Sequence, residues 1–326
     1  MKEADWTTDM AIRAAWMSFV GGATQGEIAS RLGISNAKVH RLIAHAQKTG
    51  LVRFQIAGRP SECLEIEAAL AAEHGLSSCL IAPEIAGAAD EEPEIRAIAS
   101  VAGPHLANLL SNTAIRQLGV GMGRTLKASV ELMPPIQRPD LSIVSISGSL
   151  TRKLSANPFD VVQQLAEGTG GEGYYLPVPY LAESPGERDM FLSQRSVQAL
   201  LERARASDLF VIGIGSVGDD SHLIRRDLIS REEQADLIRS GAVCDLMGRF
   251  IDAEGRLVEA RLGDKAVGLP FEAVRGARVV ALAGGVSKVE ATRAALRAGL
   301  ITDLIVDEGL GRALAASAQA RTVRSA

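Results

Sequence analysis

Aromatic residues are scarce in this 326-residue chain: two Trp, three Tyr and seven Phe make up 4% of it, so its core must be built from Leu, Ile, Val and Ala. Cysteine is scarcer still. Cys63, Cys79 and Cys244 are far apart and odd in number, which points away from a disulfide framework or a cysteine metal site; they read as reduced, buried thiols of a cytoplasmic protein. No run of about 18 apolar residues occurs, and the first residues hold no apolar signal core, so neither a membrane span nor a secretory leader is expected. The dinucleotide fingerprint G-x-G-x-x-G and the Walker lysine motif are also missing. His105 and His222 have no nucleophile pattern beside them, and no paired carboxylates stand in a recognisable catalytic motif. The run Asp219-Asp220-Ser221-His222 reads as a solvated loop rather than a metal cluster. No catalytic residue, metal or cofactor is therefore expected.

The charge that is present is unevenly placed. The net charge is −4, yet residues 1–59 carry +4 and the remainder −8. A basic head on an acidic body is the footprint of a DNA-binding domain joined to something else. The head contains TQGEIASRLGISNAKVHRLIAHAQKT, residues 24–49, which reads as helix, glycine turn, helix. Thr24 and Glu27 have capping-box spacing, Ile28, Ala29 and Leu32 form the first stripe, Gly33 turns the chain, and Ser35 caps a second helix with Val39, Leu42 and Ile43 inward. Such a second helix enters the DNA major groove by its N-terminal end. The candidate DNA contacts are Thr24, Gln25, Ser35, Asn36, Lys38, His40 and Arg41, with Arg53 on a following wing strand, 51–57, after the helix-ending Gly50. A preceding helix over 9–20 should pack behind the motif through Ile12, Ala15, Trp16 and Phe19; Trp6 and Trp16 read as packing residues. Gly58-Arg59-Pro60-Ser61 punctuates the chain. The expected domains are a winged helix-turn-helix over 1–58, a linker and connecting helix over 59–76, and an effector-binding and oligomerisation domain over 77–326.

The body alternates short apolar strands (79–82, 114–120, 141–146, 208–214, 278–283, 303–306) with helical patterns at 94–111, 123–133, 158–167, 194–206, 231–239, 287–298 and 309–317. That alternation predicts a largely parallel sheet covered on both faces. The Pro-containing stretch 174–192 shows no pattern and is expected to be a functional loop. In an open parallel sheet, ligands bind outside the carboxyl ends of the strands. Four of those ends are rich in glycine or polar residues: GVGMGRT at 119–125, SISGS at 145–149, GIGSVG at 213–218 and AGGVSK at 283–288. Glycine lets backbone N–H groups approach an anion, and Arg124, Thr125 and Lys288 add donors, which suits a phosphorylated or heavily hydroxylated small molecule.

Head and body together resemble the SorC family of sugar-binding transcriptional regulators. The resemblance rests on TQGEIASRLGISNAKVHRLI, YYLPVPY, FVIGIGSV, GAVCDLMGRFIDAEG, VVALAGGVSKVEATRAALRAG and DLIVDEG, in that order, and GSLTRKLSANPFDVV looks most like the subgroup that regulates erythritol and related polyol catabolism. The resemblance implies an α/β fold with a winged helix-turn-helix and a Rossmann-like effector domain related to sugar-phosphate isomerases but without their activity. It implies a sugar, polyol or phosphorylated sugar as effector and a homo-oligomer, a dimer of dimers. Carried over by motif, the effector contacts are Gly121, Gly123, Arg124, Thr125, Ser147, Gly148, Asn157, Gly215, Ser216, His222, Asp245 and Lys288, with Lys288 in the place of a phosphate-binding lysine. The sequence departs from members that carry two threonines at Arg124-Thr125 and an arginine near Ser147. No lysine lies between Lys127 and Lys153, which argues against the Schiff base of the deoxyribonucleoside regulator.

The expected function is repression of a sugar or polyol catabolic operon through a palindromic operator in double-stranded DNA, controlled by the effector. The alternative is a sugar-phosphate isomerase-like enzyme with an accessory DNA-binding head.

Overall fold

The structure is a computed structural model that describes residues 3–52, 58–85, 92–149, 161–219 and 221–322. The chain divides into two compact units, Met1–Gly58 and Arg59–Ala326.

The first unit holds α1 (Glu3–Ala15), α2 (Gln25–Leu32) and α3 (Asn36–Lys48), with a π-helical turn, Trp16–Val20, after α1. Its core is small: Ala11, Ala14, Ala15, Ile28, Ala29, Val39, Leu42 and Ala46. The packing face expected of the first helix is corrected. Ala11, Ala14 and Ala15 are buried, whereas Ile12, Trp16 and Phe19 are exposed, Trp16 by 63%. Alanines let α1 and α3 approach closely, so the small face of α1 packs inward, while Ile12 and Trp16, four residues apart on the opposite face, stay outward; a π turn, in which the Gly21 N–H donates to Trp16 O at 2.9 Å, follows. Past α3, the N–H groups of Leu51 and Gly50 donate to Ala46 O and Gln47 O, closing the helix in a Schellman motif. The expected wing strand, 51–57, opens on Leu51 and Val52, which form a bend; the rest of it, Arg53 included, lies outside the described residues.

The second unit runs through α4 (Ser61–His74), β1 (Ser78–Ala82), α5 (Pro93–Leu110), β2 (Gln117–Val120), α6 (Arg124–Glu131), β3 (Ser142–Ser145), α7 (Val162–Thr169), β4 (Glu172–Tyr174), α8 (Pro185–Ser193) and α9 (Arg195–Arg205). It continues with β5 (Leu209–Gly213), β6 (Gly215–Ser216), α10 (His222–Arg225), α11 (Arg231–Arg239), β7 (Ala242–Leu246), β8 (Arg249–Asp252), β9 (Arg278–Ala283), α12 (Val289–Arg297), β10 (Asp303–Asp307) and α13 (Glu308–Thr322). Seven strands form a parallel sheet in the order β1-β10-β9-β5-β2-β3-β4. Alternate residues feed the two faces: Phe210 and Ile212 join α4, α12 and α13 on one side, Leu209 and Val211 join α5, α6 and α7 on the other. A sheet covered on both faces explains why its strands read as continuous apolar runs. α4, expected within a connecting segment, buries Cys63 and Leu70 in the first of these cores.

The sequence pattern missed β4 and a small antiparallel sheet, β6-β7-β8, set beyond the end of β5. The stretch 174–192, expected as a loop, ends in α8. Ser184 caps that helix by accepting from the Glu187 N–H at 3.2 Å, and Pro185 occupies its first turn. No described helix is long and apolar enough to cross a membrane.

Candidate functional site

In the head, local chemistry sets the geometry of the motif. Thr24 and Glu27 form a full capping box: the Thr24 N–H donates to Glu27 Oε2 at 2.7 Å and the Glu27 N–H to Thr24 Oγ1 at 3.4 Å. The Thr24 N–H first, and then the Thr24 hydroxyl, both donating to Oε2, hold the Glu27 carboxyl below its ordinary pKa. Gly33 ends α2 at φ 66°, a left-handed conformation that glycine adopts without steric cost. Ser35 Oγ accepts from the Lys38 N–H and starts α3. Gln25, Asn36, His40 and Arg41 are exposed around this turn. Lys38, another of the candidate DNA contacts, is half-buried, its ammonium 4.5 Å above the Trp6 ring of α1.

The body has its site at the sheet's switch point. β3 and β4 extend the sheet on one side of β2, and β5, β9 and β10 on the other. The crevice between the carboxyl ends of β2 and β5 is where such sheets bind ligands. A cleft of about 910 Å³, counting its open mouth, lies there. It is lined by Gly121, Gly123, Arg124, Thr125, Ser147, Gly215, Ser216, His222, Asp245 and Lys288, from five sequence-distant segments. Of the other two candidates, Asn157 lies outside the described residues. Gly148 does not line the cleft. Its N–H donates to Val267 O, and a Cβ would sit 2.2 Å from Pro179 O, so glycine is needed there for backbone packing.

The residues that sequence reasoning left out are Tyr180, Met122, Ile146, Ile212, Ile214 and Met247, which supply most of the remaining wall. Tyr180 lay in the YYLPVPY motif but was not singled out. Its phenol donates to both oxygens of Asp245, at 3.1 and 3.2 Å, and the Gly248 N–H donates to Asp245 Oδ1 at 3.0 Å. Asp245 reaches this position because β7 and β8 turn through Met247 and Gly248, both at positive φ, the geometry of a tight hairpin.

Burial pushes the Asp245 carboxyl up to about 6, against the two hydrogen bonds that favour its charged form. Tyr180, buried beside that carboxylate, titrates well above its ordinary range. His222 Nε2 stands 3.7 Å from Asp245 Oδ2. Burial first, then the positive charges of Lys288 and Arg124, push the imidazole down to about 4, so it is neutral at pH 7. Lys288, at the end of the turn Val286–Lys288, donates to Ile214 O at 3.0 Å. Arg124 opens α6 and is ion-paired with Glu92, just before α5. The cleft therefore presents cations, a buried carboxylate, a neutral imidazole and apolar walls. It can hold a polar molecule by many directed hydrogen bonds. No group of three or more His, Cys, Asp or Glu able to hold a metal stands among the described residues.

A family model described as a putative sugar-binding domain matches residues 58–315. Over 311 residues the chain is 37% identical to the erythritol catabolism regulatory protein EryD of Brucella abortus (strain 2308), covering 95% of this chain and 98% of that protein. It is 30% identical over 311 residues to the transcriptional regulator LsrR of Escherichia coli (strain K12), covering 94% of each. In fold it is similar to the full-length sorbitol operon regulator SorC from Klebsiella pneumoniae, with a TM-score of 0.68 and 23% identity over 94% of this chain and 99% of that one. The match to the sugar-binding domain encloses the switch-point cleft, and the alignments with the regulators extend through the helix-turn-helix as well. By sequence in both units and by fold, the chain belongs to the SorC family of sugar-binding transcriptional regulators.

Proposed function

We propose that the protein represses the genes of a polyol or sugar catabolic operon and that a polyol, sugar or sugar phosphate in the switch-point cleft controls its hold on DNA. The observation that carries this reading is the cleft itself: donors from the ends of β2 and β5, Lys288 before α12 and Asp245 on the inset hairpin all face one space. Asp245 accepts from effector hydroxyls, Lys288 and Arg124 donate to oxygen or phosphate, and Thr125, Ser147, Ser216 and His222 complete the polar wall. The 37% identity to an erythritol catabolism regulator favours a polyol or a phosphorylated derivative of one. The protein acts by binding and not by catalysis.

At the head, Gln25, Asn36, Lys38, His40 and Arg41 contact base edges or phosphates in the major groove, Thr24 and Ser35 flank them at the helix starts, and Arg53 adds a contact from beyond the motif. A dimer of dimers presents paired heads to a palindromic operator. An effector changes DNA affinity only by its differential affinity for two states of the assembly, a coupling of about 1–3 kcal/mol in typical cases. The test is a mobility-shift assay with the full chain on DNA upstream of its own gene. Binding to that DNA should weaken in the presence of a polyol or its phosphate, and Lys288→Met should keep DNA binding while losing the response. Binding insensitive to every polyol, sugar and phosphate ester offered would defeat the proposal.

A further inference from the structure

Arg124 is a strong anion binder on the cleft wall, since a guanidinium pairs with phosphate through two parallel hydrogen bonds. In this chain it is already engaged. The Glu92 carboxylate is ion-paired with Arg124, and Arg225 on α10 comes within 3.8 Å of the same carboxylate. Glu92 thus ties the start of α6 to the helix that carries His222. The neighbouring strand end is also guarded by acids. The Gly285 N–H, which a phosphate would use, donates to Asp307 Oδ2 at 2.9 Å, and Glu94 stands against Gly284 and Gly285. Across the cleft Asp245, its side chain 2% exposed, faces the same space. The neutral His222 adds no positive charge. Set against these carboxylates, the cationic side chains lining the cleft are Arg124 and Lys288.

We propose that Glu92 is a specificity-determining residue of the effector site: by pairing with Arg124 of the cleft wall, it limits the site to polyhydroxylated ligands carrying at most one phosphate and turns away bisphosphates. The inference rests on the effector reading of the cleft. A second phosphate would have to displace Glu92 from Arg124 or lie against the carboxylates, and like charges brought together are the usual means of rejecting a competing ligand.

The test compares fructose 6-phosphate with fructose 1,6-bisphosphate, a pair differing by one phosphate, by titration calorimetry on the full chain. The wild type should bind the monophosphate more tightly. Glu92→Gln should shift the affinity ratio about 10-fold toward the bisphosphate, and Glu92→Asp, which keeps the charge, should leave the ratio near wild type. The double variant E92Q/R124Q removes both charges and should return the ratio to the wild-type value. A wild type that prefers the bisphosphate overturns the proposal, as does an E92Q ratio that is unchanged or an E92Q protein that binds neither ester. Persistence of the E92Q gain in the double variant overturns it too, because the gain would not come from Arg124. If Lys288→Met abolishes the effector response while E92Q changes nothing, the effector site stands and only the role of Glu92 falls.

Discussion

The head and the cleft are held together in opposite ways. In the helix-turn-helix, the polar contacts that fix geometry join residues three or four apart: Thr24 with Glu27, Ser35 with Lys38, Arg41 with Ala37. In the cleft they span the chain. Tyr180 and Asp245 are 65 residues apart, and Lys288 and Ile214 are 74 apart. The caps and the turn of the motif are therefore encoded one turn at a time, and a substitution at one of them should cost little beyond its own contact. The cleft is a meeting of segments, so a substitution should disturb partners that the sequence separates widely.

The sharpest test of that contrast uses two glycines. At Gly148 the body's chain passes so close to Pro179 that any Cβ meets backbone, and backbone cannot step aside as a side chain can. Gly148→Ala should destabilise the body by about 3 kcal/mol or more, the upper end of overpacking costs, measured by urea unfolding. Gly33→Ala, where nothing stands within 4 Å of a Cβ and only φ is unfavourable, should cost about 1 kcal/mol. Equal costs at the two sites would break the contrast.

The next effect belongs to the cleft alone. Asp245, with an ordinary value of 3.8, is raised to about 6 by folding. Between those values the folded state binds more protons than the unfolded state, so its contribution to stability falls as pH rises. His222 runs the other way. Its ordinary value of 6.5 drops to about 4, the unfolded state binds more protons in between, and stability rises with pH. At about 1.4 kcal/mol per pKa unit each swing is at most about 3 kcal/mol, and smaller for His222, whose side chain is 30% exposed. The windows overlap between about pH 4 and pH 6, where the two contributions oppose each other. His222→Gln should leave stability falling with pH relative to wild type, and Asp245→Asn should leave it rising. Variant curves parallel to the wild type would show that the two groups do not oppose each other.

The same division between local and distant contacts explains what could be read in the sequence. The caps at Thr24 and Ser35, the turn at Gly33 and the apolar strands β5, β9 and β10 are local signals, and they mark both the motif and the strand ends around the cleft. The inset sheet was hidden. β6 is two residues long, and the hairpin turns at Met247 with φ 57°, although methionine carries no turn signature. Tyr180 enters the cleft through long-range ties, its N–H to Ser149 O and its carbonyl to the Val267 N–H, which no periodicity reveals. Glu92 sits in a run of acids with nothing in its spacing that points at Arg124. In the head, the buried face of α1 is made by Ala11, Ala14 and Ala15, and a stripe of larger residues, Ile12, Trp16 and Phe19, drew the sequence reading to the opposite side.

A smaller effect is expected at the head's cap. Thr24→Ala removes the hydroxyl that accepts from Glu27 N–H and frees the Glu27 carboxylate from its partner side chain. The loss should be about 1 kcal/mol, read as a lower unfolding midpoint for the head with the effector affinity of the cleft unchanged. A matching loss of effector affinity would mean that the head's stability is not local.

The smallest effect probes a ring contact that reaches from α1 to α3. Lys38 lies over Trp6 at 4.5 Å, with Trp6 38% exposed. A cation over an exposed indole contributes about 0.5–1 kcal/mol, so Trp6→Ala and Lys38→Gln should couple by that amount in a double-mutant cycle of head stability. Their effects on DNA binding should differ. Lys38→Gln removes a charge and should lower the salt dependence of binding by about one phosphate contact. Trp6→Ala keeps the charge and only loosens it, so the salt slope should hold while affinity drops. If Trp6→Ala leaves DNA affinity untouched, α1 supports α3 but does not aim Lys38, and the head's DNA surface is encoded wholly within residues 24–49.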